Sequence, residues 1–130
     1  MITMNENLHL NEEYLMQIVE AASDIEDLGW FIRVRVEFKI RIWTDFKKPE
    51  LYYEVIEVMY NNGRSAKYVI DFIWNAIGCE FRELDDEVDF TIGAVFMGCV
   101  TKKVKVDNWN RETEFYNINA LEPCGYYDVD

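Results

Sequence analysis

From Phe31 to Trp43 the chain alternates without a break. Ile32, Val34, Val36, Phe38, Ile40 and Ile42 alternate with Arg33, Arg35, Glu37, Lys39, Arg41 and Trp43. Successive side chains on a strand point to opposite faces, so the pattern predicts one long β-strand with an aliphatic face and a cationic face. Four of the 13 Lys and Arg residues stand on that second face, in a chain with 25 Asp and Glu. A basic stripe on an acidic protein is a surface for an anion, and nucleic acid is the usual one. The plainer reading is a solvated strand face, where Lys and Arg also discourage edge pairing.

A second group has the same chemistry. Lys103, Lys105, Trp109 and Arg111 place an indole among cations in a polar hairpin, where Trp has no obvious core role and offers a stacking surface for a base. A Trp109 folded back over the end of the domain is the alternative. Phe46, Lys47 and Lys48 form a weaker third group. The acidic run Glu83, Asp85, Asp86, Glu87, Asp89 lacks the glycine and terminal glutamate of a calcium loop and reads as a solvated connection. With a single histidine, His9, and no phosphate loop, nucleophile elbow or metal-binding His pair, neither catalysis nor a metal or cofactor is expected.

The elements that must carry these groups follow from periodicity. Residues 1–12 read as a flexible lead-in. Glu13 to Ala22 fits a strand through Tyr14, Met16 and Ile18, and a helix through Leu15, Ile18, Val19 and Ala22; the pattern leaves both open. Ser23 to Gly29 is an acidic connection, and the long strand follows. Leu51 to Tyr60 is a strand after a polar loop, and Asn61-Asn62-Gly63 is a turn. Val69, Phe72, Ile73, Ala76 and Ile77 form a helical stripe, with Ser65 as cap and Gly78 as stop, and Trp74 is assigned to the core beside them. Thr91 to Val106 is a strand region in which Gly93 and Gly98 predict a bulge or bend. Asp107 to Arg111 is a hairpin loop and Glu112 to Leu121 a last strand. Residues 123–130 form a short acidic-aromatic tail. With a first strand, the order is β-β-β-α-β-β, five strands of a small barrel with one helix between the third and fourth.

The 130 residues predict one domain, and half are hydrophobic, enough for a core. No apolar run reaches the length of a membrane span and no signal peptide is visible. Cys79, Cys99 and Cys124 form no C-x-x-C pair, so a cytoplasmic protein with reduced thiols is expected. The net charge of −12 alone counts against nucleic acid, but it is segregated. Residues 31–48 hold six cations and two acids, and residues 101–111 hold four cations and one acid.

The strand order resembles that of an OB-fold. The residues also resemble a family of small phage-encoded single-stranded-DNA-binding proteins of replication or recombination cassettes. Tyr14, Ile18 and Ala21 match its first strand, Gly29 and Ile32 to Ile42 its second, Gly63-Arg64 and Ala76-Ile77-Gly78 its helix region. Gly93 and Asn117-Ile118 match its last strands. The hairpin departs from the family's Tyr-Asn-Gly, with Asn108-Trp109-Asn110-Arg111 in its place, and the tail is shorter. The resemblance implies an OB-like domain over residues 13–122 that binds single-stranded DNA without strong sequence preference. Arg33, Arg35, Lys39, Arg41, Lys47, Lys48, Lys103, Lys105 and Arg111 would meet phosphates, and Trp43 and Trp109 would stack bases. It also implies that Tyr126, Tyr127, Asp128 and Asp130 recruit replication or recombination enzymes. Dimerisation through the edges of a partly open barrel is a further expectation. The rival class is an acidic phage inhibitor that mimics DNA and binds a host nucleic-acid-processing enzyme, as in anti-restriction or anti-CRISPR proteins. Residues 12–27 and 80–89 would then be the functional surface.

Overall fold

The computed structural model describes residues 7–29, 32–45, 48–60, 67–78 and 88–129; for 25, 32, 34, 48, 53–60 and 67–70 it describes the backbone alone. Five strands, β1 (Tyr14–Asp27), β2 (Ile32–Asp45), β3 (Lys48–Tyr60), β4 (Ala94–Val106) and β5 (Glu112–Tyr126), make the protein mainly β. Among the described residues one helix, α1 (Lys67–Ile77), and a short 3-10 turn, Val88–Thr91, fall between β3 and β4 in the chain. The strands form one antiparallel sheet in the order β3-β2-β1-β4-β5. Among the described residues β3 and β5 are its edges.

The alternation in β2 sorts its two faces as periodicity predicts. Val36, Phe38, Ile40 and Ile42 are buried, while Arg33 and Arg35 are exposed and Lys39, Arg41 and Trp43 half-buried. Residues 14–22, left open between helix and strand, are strand. The break in their alternation is a β-bulge: Ile18 pairs with Ile40 and Glu20 with Lys39, so Val19 is the extra residue. An acidic connection is expected from Ser23, yet β1 runs on to Asp27. There β2 supplies a backbone partner to every residue, down to Asp27 opposite Ile32.

At the far edge β5 extends to Tyr126, past the expected end at Leu121. Pro123 is accommodated because β5 is an edge strand and the β4–β5 register slips on either side of Phe96. Gly98 lies where β1, β4 and β5 crowd together. A Cβ there would come within 2.7 Å of Met16 Sδ and 3.0 Å of the Asn119 carbonyl.

Helix α1 buries Phe72, Ile73 and Ala76 against the sheet, chiefly over β5. It ends at Gly78, whose N–H donates to the Trp74 carbonyl (2.8 Å). Trp74 itself corrects the expectation that it fills the core: it is 51% exposed. One position beyond Ile73 is about 100° round the helix, off the apolar stripe. Residues 7–12 do not stand apart as a lead-in. Leu8 is in the core, and the Asn11 N–H donates to the Val100 carbonyl (2.9 Å). The Asn61–Gly63 turn, the Ser65 cap, Phe46 and residues 80–87 of the acidic connection lie outside the described residues. No helix among the described residues is long and apolar enough to cross a membrane.

The core is tied together by rings. Phe38 of β2 stacks on Phe72 of α1 with centroids 5.1 Å apart, and Phe72 meets Phe96 of β4 edge-on at 5.7 Å. Phe38 and Phe96 have no exposed surface. Truncation of Phe38 opens a cavity at this junction, so Phe38→Ala is expected to lower unfolding free energy by about 3–5 kcal/mol. A urea melt read by far-UV circular dichroism checks this through the midpoint, and a shift worth less than about 1 kcal/mol contradicts the packing.

Candidate nucleic-acid interface

Cross-strand register decides what the cationic face of β2 meets. Residues opposite each other on paired strands share a face and interact. Arg33 faces Glu26, Arg35 faces Asp24 and Lys39 faces Glu20. Arg33 Nη2 lies 2.6 Å from Glu26 Oε2, Lys39 Nζ 3.9 Å from Glu20 Oε1, and Arg35 Nη1 3.3 Å from Glu37 Oε2 on its own strand. This stretch of the stripe therefore sets three cations against four carboxylates, and is close to neutral. It also engages Glu20 and Glu26 from the acidic stretch 12–27. Each exposed pair contributes about 0–1 kcal/mol, so together they fix the β1–β2 face more than they stabilise it.

The stripe changes character at its far end. Arg41 faces Gln17 and Trp43 faces Leu15, neither of them acidic. Arg41 lies over the Trp43 ring, 5.8 Å from its centroid, and Arg41 Nη1 donates to Gln17 Oε1 (3.5 Å). A cleft of about 370 Å³ opens here, walled by Leu15, Gln17, Arg41, Trp43, Val95, Cys124, Tyr127 and Asp128.

One wall of the cleft is the C-terminal segment, held down as a strap. The Tyr127 N–H donates to the Gly93 carbonyl (3.0 Å), and Gln17 Nε2 donates to the carbonyls of Tyr127 (3.0 Å) and Gly93 (3.4 Å). The Tyr126 hydroxyl donates to the Phe90 carbonyl (3.0 Å). Gly93, with φ +93°, leaves no room for a side chain: a Cβ would sit 2.9 Å from the Tyr127 carbonyl. Gln17 is 3% exposed, a buried amide whose Nε2 holds this junction while its Oε1 accepts from Arg41. The alternation pattern alone marks Gln17 only as a polar residue between Met16 and Ile18, because its partners lie 76 and 110 residues away.

The second site lies on the β4–β5 hairpin. β1 stops pairing with β4 at Gly98, whereas β4 and β5 pair with each other out to Val106 and Glu112. Residues 102–114 are exposed along their whole length, so this hairpin is an arm projecting from the sheet. Register again sorts the charges. Lys103 and Lys105 share a face with Phe115 and Thr113, while Glu112 and Glu114 fall on the opposite face with Val106 and Val104. On that opposite face Lys102 Nζ lies 2.8 Å from Glu114 Oε1, which raises the lysine pKa.

The arm's tip is built, not loose. Asp107 Oδ1 accepts the N–H groups of Trp109 (2.8 Å) and Arg111 (2.9 Å), and Asp107 Oδ2 accepts from Arg111 Nε (3.1 Å). Asn110 takes the left-handed conformation that closes the loop, φ 58°. These bonds hold Trp109 outward, 77% exposed, and engage Arg111 in the turn. The structure thus brings Arg41, Trp43, Tyr127 and Asp128 to one cleft, and Lys103, Lys105 and Trp109 to one arm. It sets Arg33, Arg35 and Lys39 against carboxylates. Lys47 and Asp130 lie outside the described residues, and Lys48 is described by its backbone alone.

Two outcomes follow. Gly93→Ala or Gln17→Ala is expected to release the strap, seen as loss of amide-exchange protection at Tyr127 while β2 amides stay protected; retained protection contradicts the latch. The Arg111 N–H, opposed by desolvation and helped by the Trp109 N–H and the Arg111 side chain, lowers the Asp107 pKa below its ordinary value. Its contribution to the tip is therefore full above the ordinary aspartate pKa and lost as pH falls through the lowered value. Amide shifts of Trp109 and Arg111 should move together in that acidic window, and Asp107→Ala should abolish the transition. Comparison with protein-family models, with curated proteins and with solved structures finds no match for this chain.

Proposed function

We propose that this chain is a non-catalytic single-stranded-DNA-binding protein on an OB-like barrel. The open strand order β3-β2-β1-β4-β5, with the helix after β3 in the chain, supports the barrel, because it closes if β3 meets β5. The bulge at Val19 adds the bend such closure needs: before it β1 pairs with both β2 and β4, after it with β2 alone.

The observation that carries the reading is the arm. It carries Lys103 and Lys105 on one face and ends at the exposed indole of Trp109, whose backbone is fixed by the Asp107 turn. A cationic track that ends in an exposed ring is how a protein follows a phosphate backbone and stacks an unpaired base. The Arg41–Trp43 cleft supplies a second such pair on the sheet. No step in this activity makes or breaks a bond: the bound strand is shielded, and its bases are kept from pairing.

Fluorescence anisotropy with labelled oligo-dT tests the reading. Binding is expected to weaken as salt rises, with log K falling by about 0.7 per log unit of salt for each phosphate neutralised. Lys103→Glu with Lys105→Glu should weaken binding at least tenfold, and Trp109→Ala should cost about 1–3 kcal/mol, the range for one stacked base. Arg33→Gln removes a cation already engaged by Glu26 and should cost far less. No binding at low salt, or binding indifferent to the two lysines, overturns the proposal.

A further inference from the structure

The cleft is shaped for more than a backbone contact. At about 370 Å³ it falls at the small end of ligand pockets, suited to one nucleotide and too small for a duplex. Trp43 and Tyr127 are the aromatic residues of its lining, and Leu15 and Val95 add side chains that offer no hydrogen bonds. Gln17 looks like the polar reader, but both donors of its amide are taken by carbonyls and its Oε1 already accepts from Arg41, which leaves it one acceptor lone pair and no donor. Two strongly polar side chains remain in the lining, the Asp128 carboxylate and the Arg41 guanidinium. One is acceptor only, the other donor only.

That pair orients whatever enters. A carboxylate repels phosphate, so the backbone of a bound strand must pass on the Arg41 side and leave the base toward Asp128. The bases then differ in what they present. Guanine alone sets two adjacent donors, N1–H and N2–H₂, on one edge, which a carboxylate accepts bidentately, and it keeps O6 and N7 for a guanidinium. Thymine offers a single N–H between two carbonyls that a carboxylate repels. Resting on the single-strand reading, we propose that the cleft takes one unpaired base and prefers guanine, through Asp128 on its donor edge and Arg41 on its acceptor edge. The rest of the strand, on the arm, is held by charge and stacking and is read without regard to sequence.

The test compares a labelled oligo-dT with the same strand carrying one central dG, using the full chain and Asp128→Asn. Asp128 is exposed, so the amide substitution leaves the core untouched. The dG strand is expected to bind at least about fivefold tighter, the low end of discrimination by a bidentate base contact. In Asp128→Asn the two strands should bind alike, because the amide replaces one of the two acceptor oxygens by an NH2 donor and cannot take two adjacent donors side by side. Equal affinities in the unmodified protein overturn the guanine preference and leave the single-strand reading standing. A preference that survives Asp128→Asn overturns the role of the carboxylate. Failure of both strands to bind at low salt overturns the single-strand reading, and this inference falls with it.

Discussion

The outer surface of this protein depends on one register, that of β1 on β2. Once Ile18 lies opposite Ile40 and the bulge at Val19 shifts the phase, Glu20, Asp24 and Glu26 must face Lys39, Arg35 and Arg33. A slip of one residue would send these carboxylates to the core face and Ile18 outward, at a cost no ion pair offsets. The register is therefore set by burial of Met16, Ile18, Phe38 and Ile40, and charge matching is its consequence. The same bulge frees β1 from β4 beyond Gln17, which opens the junction that Gly93 and the C-terminal strap fill.

The arm obeys the same rule with the opposite result. On β4 and β5 the pairing of Lys103 with Phe115 and Lys105 with Thr113 sends the glutamates of β5 to the other face. One pairing sets cations opposite carboxylates, the other sets lysines opposite Phe115 and Thr113, and nothing in the composition of the strands distinguishes them. An isolated two-stranded hairpin is only marginally stable in water. Here its base is continuous with the sheet, and its tip is locked by three hydrogen bonds to one aspartate. On the proposed reading that stiffness matters, because a backbone already fixed at Trp109 has less conformational freedom to lose when a base stacks there.

Much of this was legible from residue types. The period of two in β2 marks the buried and outer faces, the spacing of Phe72, Ile73 and Ala76 marks the buried face of α1, and the polar loop around Trp109 marks its exposure. What was not legible is pairing. Arg33 and Arg35 look like a binding stripe in isolation because a strand does not state its neighbour, and β1 hid its phase behind the bulge at Val19. Gln17 and Tyr127 were equally opaque: each is unremarkable locally, and their contact joins the first strand to the C-terminal segment. Trp74 was misplaced because an indole next to an apolar stripe looks like part of it, although 100° of helical rotation takes it to solvent.

For the proposed binding of a polyanion, a chain of net charge −12 needs distance as well as cations. The arm provides it. The five exposed residues from Lys102 to Val106 extend it by about 17 Å at strand rise. The screening length at physiological ionic strength is about 8 Å, so a phosphate at the tip interacts with Lys105 and hardly at all with the acidic body. The cleft has no such distance, and relies on the local pairing of Arg41 with an amide in place of a carboxylate. Lowering the salt lengthens the reach of both the lysines and the body's acids. Repulsion then grows alongside attraction, and the salt slope of the whole molecule falls short of what its arm alone would give. On the proposed single-strand reading, the sign of the total charge governs how a strand approaches, and the cross-strand register governs where it is held.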